Sequence, residues 1–199
     1  MTTIIDYGAG NLFSVRNALN FIGCENQISS DEKDVINADR LILPGVGAFG
    51  DAMDKLRSSG LIDVIKQEAV KKPFLGICLG MQLLFEESYE FGKHEGLGLI
   101  PGTVKLMEPE GDLAIPQIGW NSLEFNNTCP LLEDVAEGSY VYFVHSYAAV
   151  CSDSYVSAYT DYGGKVPALV GRDNIFGAQF HPEKSGEIGL NILKNFAEL

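Results

Sequence analysis

The sequence predicts an α/β fold, a central and mostly parallel sheet flanked by helices, with an additional antiparallel strand layer. In the first half, short apolar runs alternate with segments whose apolar residues recur at helical spacing, the order that arises when crossover helices join parallel strands. In the second half, strand signals follow one another across glycine-containing turns, the order of antiparallel neighbours. The chain has 199 residues, 46% of them hydrophobic, which suffices for one sizeable core. No repeat, low-complexity stretch or linker divides it, so residues 1–199 are expected to form a single domain.

Thr2 to Asp6 reads as a strand, and Tyr7-Gly8-Ala9-Gly10-Asn11 as the loop after it. Leu12, Val15, Leu19 and Ile22 share a helical face, predicting a helix from Leu12 to Ile22. Glu25 to Ile28 is a short strand, and Arg40 to Leu43 a buried one ended by Pro44-Gly45. Helices are expected at Asp51–Arg57 and Leu61–Lys71, then a strand at Phe74–Ile77 and a helical pattern from Leu79 to Phe85. The strand-rich half comprises Leu99–Met107, Ile118–Phe125, Tyr140–Val150, Val156–Asp161, Ala168–Gly171 and Ile175–Gln179, and a helix from Ser185 to Ala197 closes the chain.

The net charge is −13, which argues against nucleic acid or an anionic membrane as partner, because a phosphate surface needs a basic face. It leaves a small neutral substrate open. None of the four cysteines, Cys24, Cys78, Cys129 and Cys151, forms a C-x-x-C pair, and a chain of this length does not depend on disulfides. Reduced thiols in a cytoplasmic enzyme fit best. The N-terminal segment lacks the basic and apolar regions of a signal peptide, and no apolar run approaches the length of a bilayer span.

Chemistry concentrates at Gly76-Ile77-Cys78-Leu79-Gly80. A cysteine between glycines, after an apolar run and before a helical pattern, has the layout of a nucleophile elbow. A helix N-terminus behind the sulfur favours thiolate. Cys24, Cys129 and Cys151 lack that setting and read as small apolar residues. His181 is the candidate general base and acid. Pro182 holds it extended, so Glu183, two positions on, is expected on the same side, where it can orient the imidazole. A metal site built from Cys78, His181 and Glu183 lacks the ligand spacing and a fourth ligand, so no metal is expected. Gly45, Val46 and Gly47 offer backbone N–H groups for an oxyanion hole, together with the Leu79 amide. Gln82, four residues after Cys78, either offers its amide to a polar substrate or lies on a solvated helix face. His145 packs in the core, lines a substrate site or serves as a second catalytic histidine, and His94 reads as a loop residue. Asn11, Gly45 to Gly47, Cys78 and His181 all follow predicted strands, which puts them on the carboxyl edge of one sheet, where α/β folds bind ligands.

In combination, Pro44-Gly45-x-Gly47, Gly76-x-Cys78-x-Gly80 and His181-Pro182-Glu183 resemble the class I (triad) glutamine amidotransferases over essentially the whole chain. Asp6-Tyr7-Gly8-x-Gly10-Asn11-Leu12, Gly119-Trp120-Asn121, Tyr142 to Tyr147 and His181 to Ser185 narrow the resemblance to the glutaminase subunits of imidazole glycerol phosphate synthases. The resemblance implies a glutaminase that works through a Cys78 thioester and needs no metal or organic cofactor. Gly47, Gln82, Glu90, His145, Ser146 and Tyr147 would hold the glutamine. It implies a heterodimer with a (βα)₈-barrel cyclase subunit that uses the ammonia in histidine biosynthesis, docked at Asn11, Trp120, Asn121, Tyr142 and Lys184. It further implies weak activity until the cyclase is bound, with the Gly45-Val46-Gly47 backbone reorienting to complete the oxyanion hole. A glutaminase serving another synthase, and a non-catalytic α/β regulatory module, are the alternatives.

Overall fold

In the computed structural model, which describes residues 1–199, strands and helices alternate through the first half as the pattern predicts. Strand β1 (Thr2–Ile5) leads to α1 (Leu12–Phe21), β2 (Asn26–Ser29), α2 (Glu32–Asn37), β3 (Arg40–Gly45), α3 (Phe49–Ser58), α4 (Ile62–Ala69), β4 (Phe74–Cys78) and α5 (Leu79–Gln82). Then follow β5 (Glu87–Ser88), β6 (His94–Glu95), β7 (Thr103–Leu106), β8 (Gln117–Ser122), β9 (Glu124–Phe125), β10 (Tyr140–His145), β11 (Tyr147–Val150), β12 (Val156–Asp161), β13 (Lys165–Arg172) and β14 (Ile175–Ala178). Helix α6 (Gly186–Ala197) ends the chain, and no helix is long and apolar enough to cross a membrane.

The main sheet has eight strands in the order β2-β1-β3-β4-β14-β13-β12-β9. The first five are mutually parallel, and β13, β12 and β9 continue the sheet antiparallel. Alternate residues of the buried strands feed opposite faces. Leu41 and Leu43 of β3 join a cluster with Phe49, Met53 and Leu56 of α3, whereas Ile42 joins Val15 and Leu19 of α1 and Phe196 of α6. Strands β8 and β10 form a separate antiparallel pair, and β11-β7-β5-β6 form a third sheet.

The structure departs from the local expectations in several places. Ile118–Phe125 is two strands, β8 in the two-stranded pair and β9 at the edge of the main sheet. Helix α2 buries only Val35, so it has no apolar period to read; Asp31 starts it by accepting from the Lys33 N–H at 2.8 Å. Helix α5 stops after one turn, although Leu79 to Phe85 carries a helical pattern. The carbonyls of Leu83 to Glu86 accept instead from the N–H groups of residues 96–100, and the apolar side chains are buried by that segment rather than along a helix. Tyr140–Val150 is two strands in two sheets, broken at Ser146, whose carbonyl accepts from Met107 N–H at 2.9 Å. His94 belongs to the short strand β6 rather than a loop.

Candidate active site

Cys78 ends β4 and caps α5 with φ 54° and ψ −111°, a left-handed conformation that side chains seldom adopt. Pairing on both sides of β4 holds it there, with Gly45 opposite Cys78 on β3 and Ala178 opposite Ile77 on β14. The flanking glycines serve close approach rather than torsional freedom. A Cβ on Gly80 would stand 1.8 Å from the Leu43 carbonyl oxygen, one on Gly76 would stand 2.6 Å from the Gly80 oxygen, and one on Gly45 would stand 2.6 Å from the Gly80 nitrogen. The single turn of α5 therefore rests directly on β3 and β4. Gly47 differs: its φ is +96° and the space beside it is open.

His181 sits just past β14, on the same sheet edge as Cys78. Its N–H donates to the Tyr142 carbonyl at 2.9 Å, and the Ser185 hydroxyl donates to its carbonyl at 2.6 Å, so its backbone is tied to β10 and to the entry of α6. Nδ1 lies 2.8 Å from Glu183 Oε1, and both side chains are almost wholly buried. A 3₁₀ turn over Pro182–Lys184, rather than a continued extended run, brings that carboxylate back under the ring. Burial opposes charge on His181, but the Cys78 sulfur and the Glu183 carboxylate outweigh it and push its pKa up to about 9. Because the value is raised above the ordinary 6.5, the imidazolium is held through neutral pH, and its stabilising contribution, complete below 6.5, is lost as pH rises through about 9. NMR titration of the His181 ring is expected to show a midpoint near 9 that falls in Cys78→Ala. An unchanged midpoint in the variant would remove the sulfur as a cause.

These groups open into a cavity of about 410 Å³, a volume suited to a small molecule. Its wall contains Val46, Gly47, Cys78, Leu79, Gln82, Glu90, His145, Ser146, Tyr147, His181 and Lys184, all singled out in the sequence. Pro116 and Val144 complete it and were not foreseen; both lie beside strand ends whose pairing depends on β8 meeting β10. Gly45 lies inside β3, behind the wall, and Glu183 lies beneath His181.

Gln82 is buried rather than on a solvated helix face. Its Nε2 donates to the Tyr147 carbonyl at 2.9 Å and to Gln179 Oε1 at 3.0 Å, and Gln179 in turn reaches the Cys78 sulfur at 3.9 Å. Gln179 is a neighbour of the sulfur that the sequence did not reveal, since a glutamine at a strand end has no distinguishing spacing. Glu90 Oε2 accepts the Phe49 N–H at the start of α3 at 2.6 Å, which fixes a carboxylate at the cavity rim. His145 lines the cavity and is also buried; its Nδ1 lies 2.9 Å from the Tyr147 carbonyl. Burial is the main cause holding its pKa down at about 4, so at neutral pH the ring is uncharged, with hydrogen on Nδ1 and a lone pair on Nε2.

Beside the cavity, the outer face of the β8–β10 pair is apolar and open. Ile118 (62%), Trp120 (54%) and Tyr140 (59%) are exposed, and Trp120 meets Tyr142 edge-on across the pair, with ring centroids 6.1 Å apart. Asn121 is opposite the inward-facing Val141, and its amide is spent on the Asp161 carbonyl and the Ser122 N–H. Asn11 starts α1 without a side-chain cap bond and lies outside the cavity wall. No group of three or more His, Cys, Asp and Glu side chains is arranged as a metal-ligand set.

An elbow cysteine, a buried His–Glu pair and a glycine strand thus meet beside one small cavity, an arrangement with the parts that thiol-dependent acyl transfer needs. Residues 3–199 match the family described as glutamine amidotransferase class-I, and the chain belongs to that family. A relative from Listeria monocytogenes serotype 4b named imidazole glycerol phosphate synthase subunit HisH is 50% identical, covering 100% of this chain and 96% of its own. One of the same name from Bacillus cereus is 52% identical, covering 98% and 93%. Among solved structures, PurLQS from Thermotoga maritima superposes with a TM-score of 0.77 at 21% identity, covering 99% of this chain and 97% of that one. A protein described as glutamine amidotransferase superposes with a TM-score of 0.76 at 19% identity, covering 99% of each. The structures share the fold.

Proposed function

We propose that this chain is the glutaminase subunit of an imidazole glycerol phosphate synthase, hydrolysing glutamine and passing the ammonia to a (βα)₈-barrel cyclase subunit in a heterodimer of histidine biosynthesis. The observation that carries this is the continuity of two surfaces. Val144 lines the cysteine cavity and, opposite Ile118 on β8, belongs to the exposed apolar face, so a protein docked there covers the cavity mouth. The relatives are named as a subunit of imidazole glycerol phosphate synthase, which supports a partner subunit of that synthase.

The Cys78 sulfur, its proton held by His181, adds to the carboxamide carbon of glutamine. The carbonyl electron pair moves onto oxygen, where the Leu79 N–H and an N–H of the Gly45-Val46-Gly47 segment stabilise it. His181 gives its proton to nitrogen, the C–N bond breaks and ammonia leaves. Water, deprotonated by His181, then attacks the thioester, the C–S bond breaks and glutamate is released. Glu183 holds the imidazole orientation throughout. Glu90 then meets the substrate ammonium, and Gln82, His145, Ser146 and Tyr147 hold the amino-acid end, a role supported by their all lining the cavity. None of these steps calls for a metal or organic cofactor. On the outer face, Trp120 and Tyr142 are the apolar anchors for the cyclase, with Asn11 and Lys184 around them, while Asn121, on the other face of β8, supports the contact from behind through its bonds to Asp161 and Ser122. Residues 1–199 act as one domain, supported by a main sheet that draws strands from both halves of the chain. Four unpaired cysteines support a reducing, cytoplasmic setting.

Glutamate release is expected to be slow in the isolated chain and strongly stimulated by a cyclase subunit loaded with its nucleotide. Trp120→Ala is expected to weaken the complex about thirtyfold, as loss of an aromatic anchor does, measured by titrating that stimulation. Absence of stimulation, with association unaffected by Trp120→Ala, would count against the assignment.

A further inference from the structure

Tyr7 follows β1 and is 4% exposed, and its hydroxyl is buried without a hydrogen-bond partner. Buried hydroxyls are normally paired, so this one stands out beside the site. It lies 3.0 Å from the point that a Cβ on Gly45 would occupy, a point also 2.6 Å from the Gly80 nitrogen and 2.9 Å from Leu79 Cβ. The hydroxyl therefore touches the junction of the glycine strand and the elbow. Tyr7 packs in the apolar cluster with Leu43, Leu79 and Met81, whereas Cys78 packs with Phe143 and Phe180 in the cluster on the other face of the sheet. The end of β3 runs between them. Burial and, after it, the Cys78 charge raise the Tyr7 pKa, so the hydroxyl keeps its proton and acts as a donor.

In a trans peptide the N–H and the C=O point in opposite directions. When the Val46 N–H faces Cys78, as an oxyanion donor must, the carbonyl of the same peptide, that of Gly45, faces Tyr7. We propose that Tyr7 is a positioning residue for the oxyanion hole: its hydroxyl donates to the Gly45 carbonyl when the Gly45–Val46 peptide presents the Val46 N–H to the reacting oxygen. The hydroxyl then gains the partner it lacks, and the competent arrangement of the peptide is stabilised. Gly45 is part of the device, because a Cβ would fill the space between hydroxyl and strand. The inference rests on the glutaminase assignment of Cys78.

The test uses the full chain in complex with a loaded cyclase subunit. Tyr7→Phe is expected to lower kcat for glutamate release about tenfold, the worth of one hydrogen bond, with KM for glutamine changed less than about twofold. The affinity for glutamate γ-semialdehyde, whose carbonyl carbon bonds to the Cys78 sulfur while its oxygen takes the negative charge, falls by the same factor. Alkylation of Cys78 by iodoacetamide, which displaces iodide and forms no oxyanion, keeps its rate. The melting temperature of the variant stays level or rises, because only an unpaired hydroxyl is removed; a purely structural hydroxyl would give the opposite sign. Tyr7→Met, also without the hydroxyl, provides the same comparison should the phenylalanine variant fold poorly. Unchanged kcat and unchanged aldehyde affinity would overturn the inference, as would alkylation slowing in step with kcat. A wild-type complex that releases no glutamate would instead overturn the glutaminase assignment beneath it.

Discussion

Cys78→Ala is expected to lower glutamine-dependent synthesis by the complex about 10⁴-fold or more, the scale on which loss of a covalent nucleophile acts, while synthesis from free ammonium stays at the wild-type rate. The split follows from where the sulfur stands. Cys78 lines the cavity, and on the proposed mechanism it is needed only to release ammonia. Alanine keeps a Cβ, so the φ of 54° at the elbow is no less tolerable than before, and the fold survives. Two assays on one preparation check it, with glutamine or ammonium as nitrogen source. Retained glutamine-dependent synthesis would overturn the nucleophile assignment.

Gly80→Ala is expected to have the largest effect on stability. The added methyl would stand 1.8 Å from the Leu43 carbonyl oxygen, a backbone atom of the central strand β3 that cannot turn aside. Relief would require lifting α5 from the sheet, which breaks the elbow and opens the core beneath Leu79 and Met81. A loss of about 4 kcal/mol or more is expected, seen as a fall of about 10 °C or more in Tm, or as insoluble protein. Gly171→Ala is the control, because the nearest atom to its Cβ would be Phe176 Cδ1 at 3.4 Å, an ordinary contact. Equal Tm values for the two variants would show that the elbow does not need the close approach.

Much of the cavity wall was legible beforehand because its residues lie in short motifs at strand ends, whereas Glu90 lies in no such motif and was legible only through the resemblance. Parallel strands linked by crossovers deliver those ends to one edge, so Gly47, Cys78 and His181 meet although they are far apart in the chain. Val144 and Pro116 were not legible, because their place depends on β8 pairing with β10, a contact between distant segments without a local signal. Gln82 was ambiguous for a related reason. Helical spacing placed it one turn beyond Cys78, but only the arrival of Tyr147 and Gln179 from elsewhere decided that its amide is buried and spent within the protein. Helix α5 shows the same limit from the other side: Leu79 to Phe85 has the local pattern of a longer helix, and hydrogen bonds from residues 96–100 outcompete it.

By itself, the sequence determined the α/β alternation, the elbow cysteine, the His–Glu pair and the glycine strand, because each is written in local periodicity or in the few residues of a tight turn. Only the tertiary structure decided what the glycines are for, which wall Gln82 holds, and that an unpaired Tyr7 hydroxyl lies beside Gly45 at the end of β3. Those are distances between segments remote in the chain. Local sequence constrains backbone torsions and faces, but it carries no measure of how closely two such segments approach.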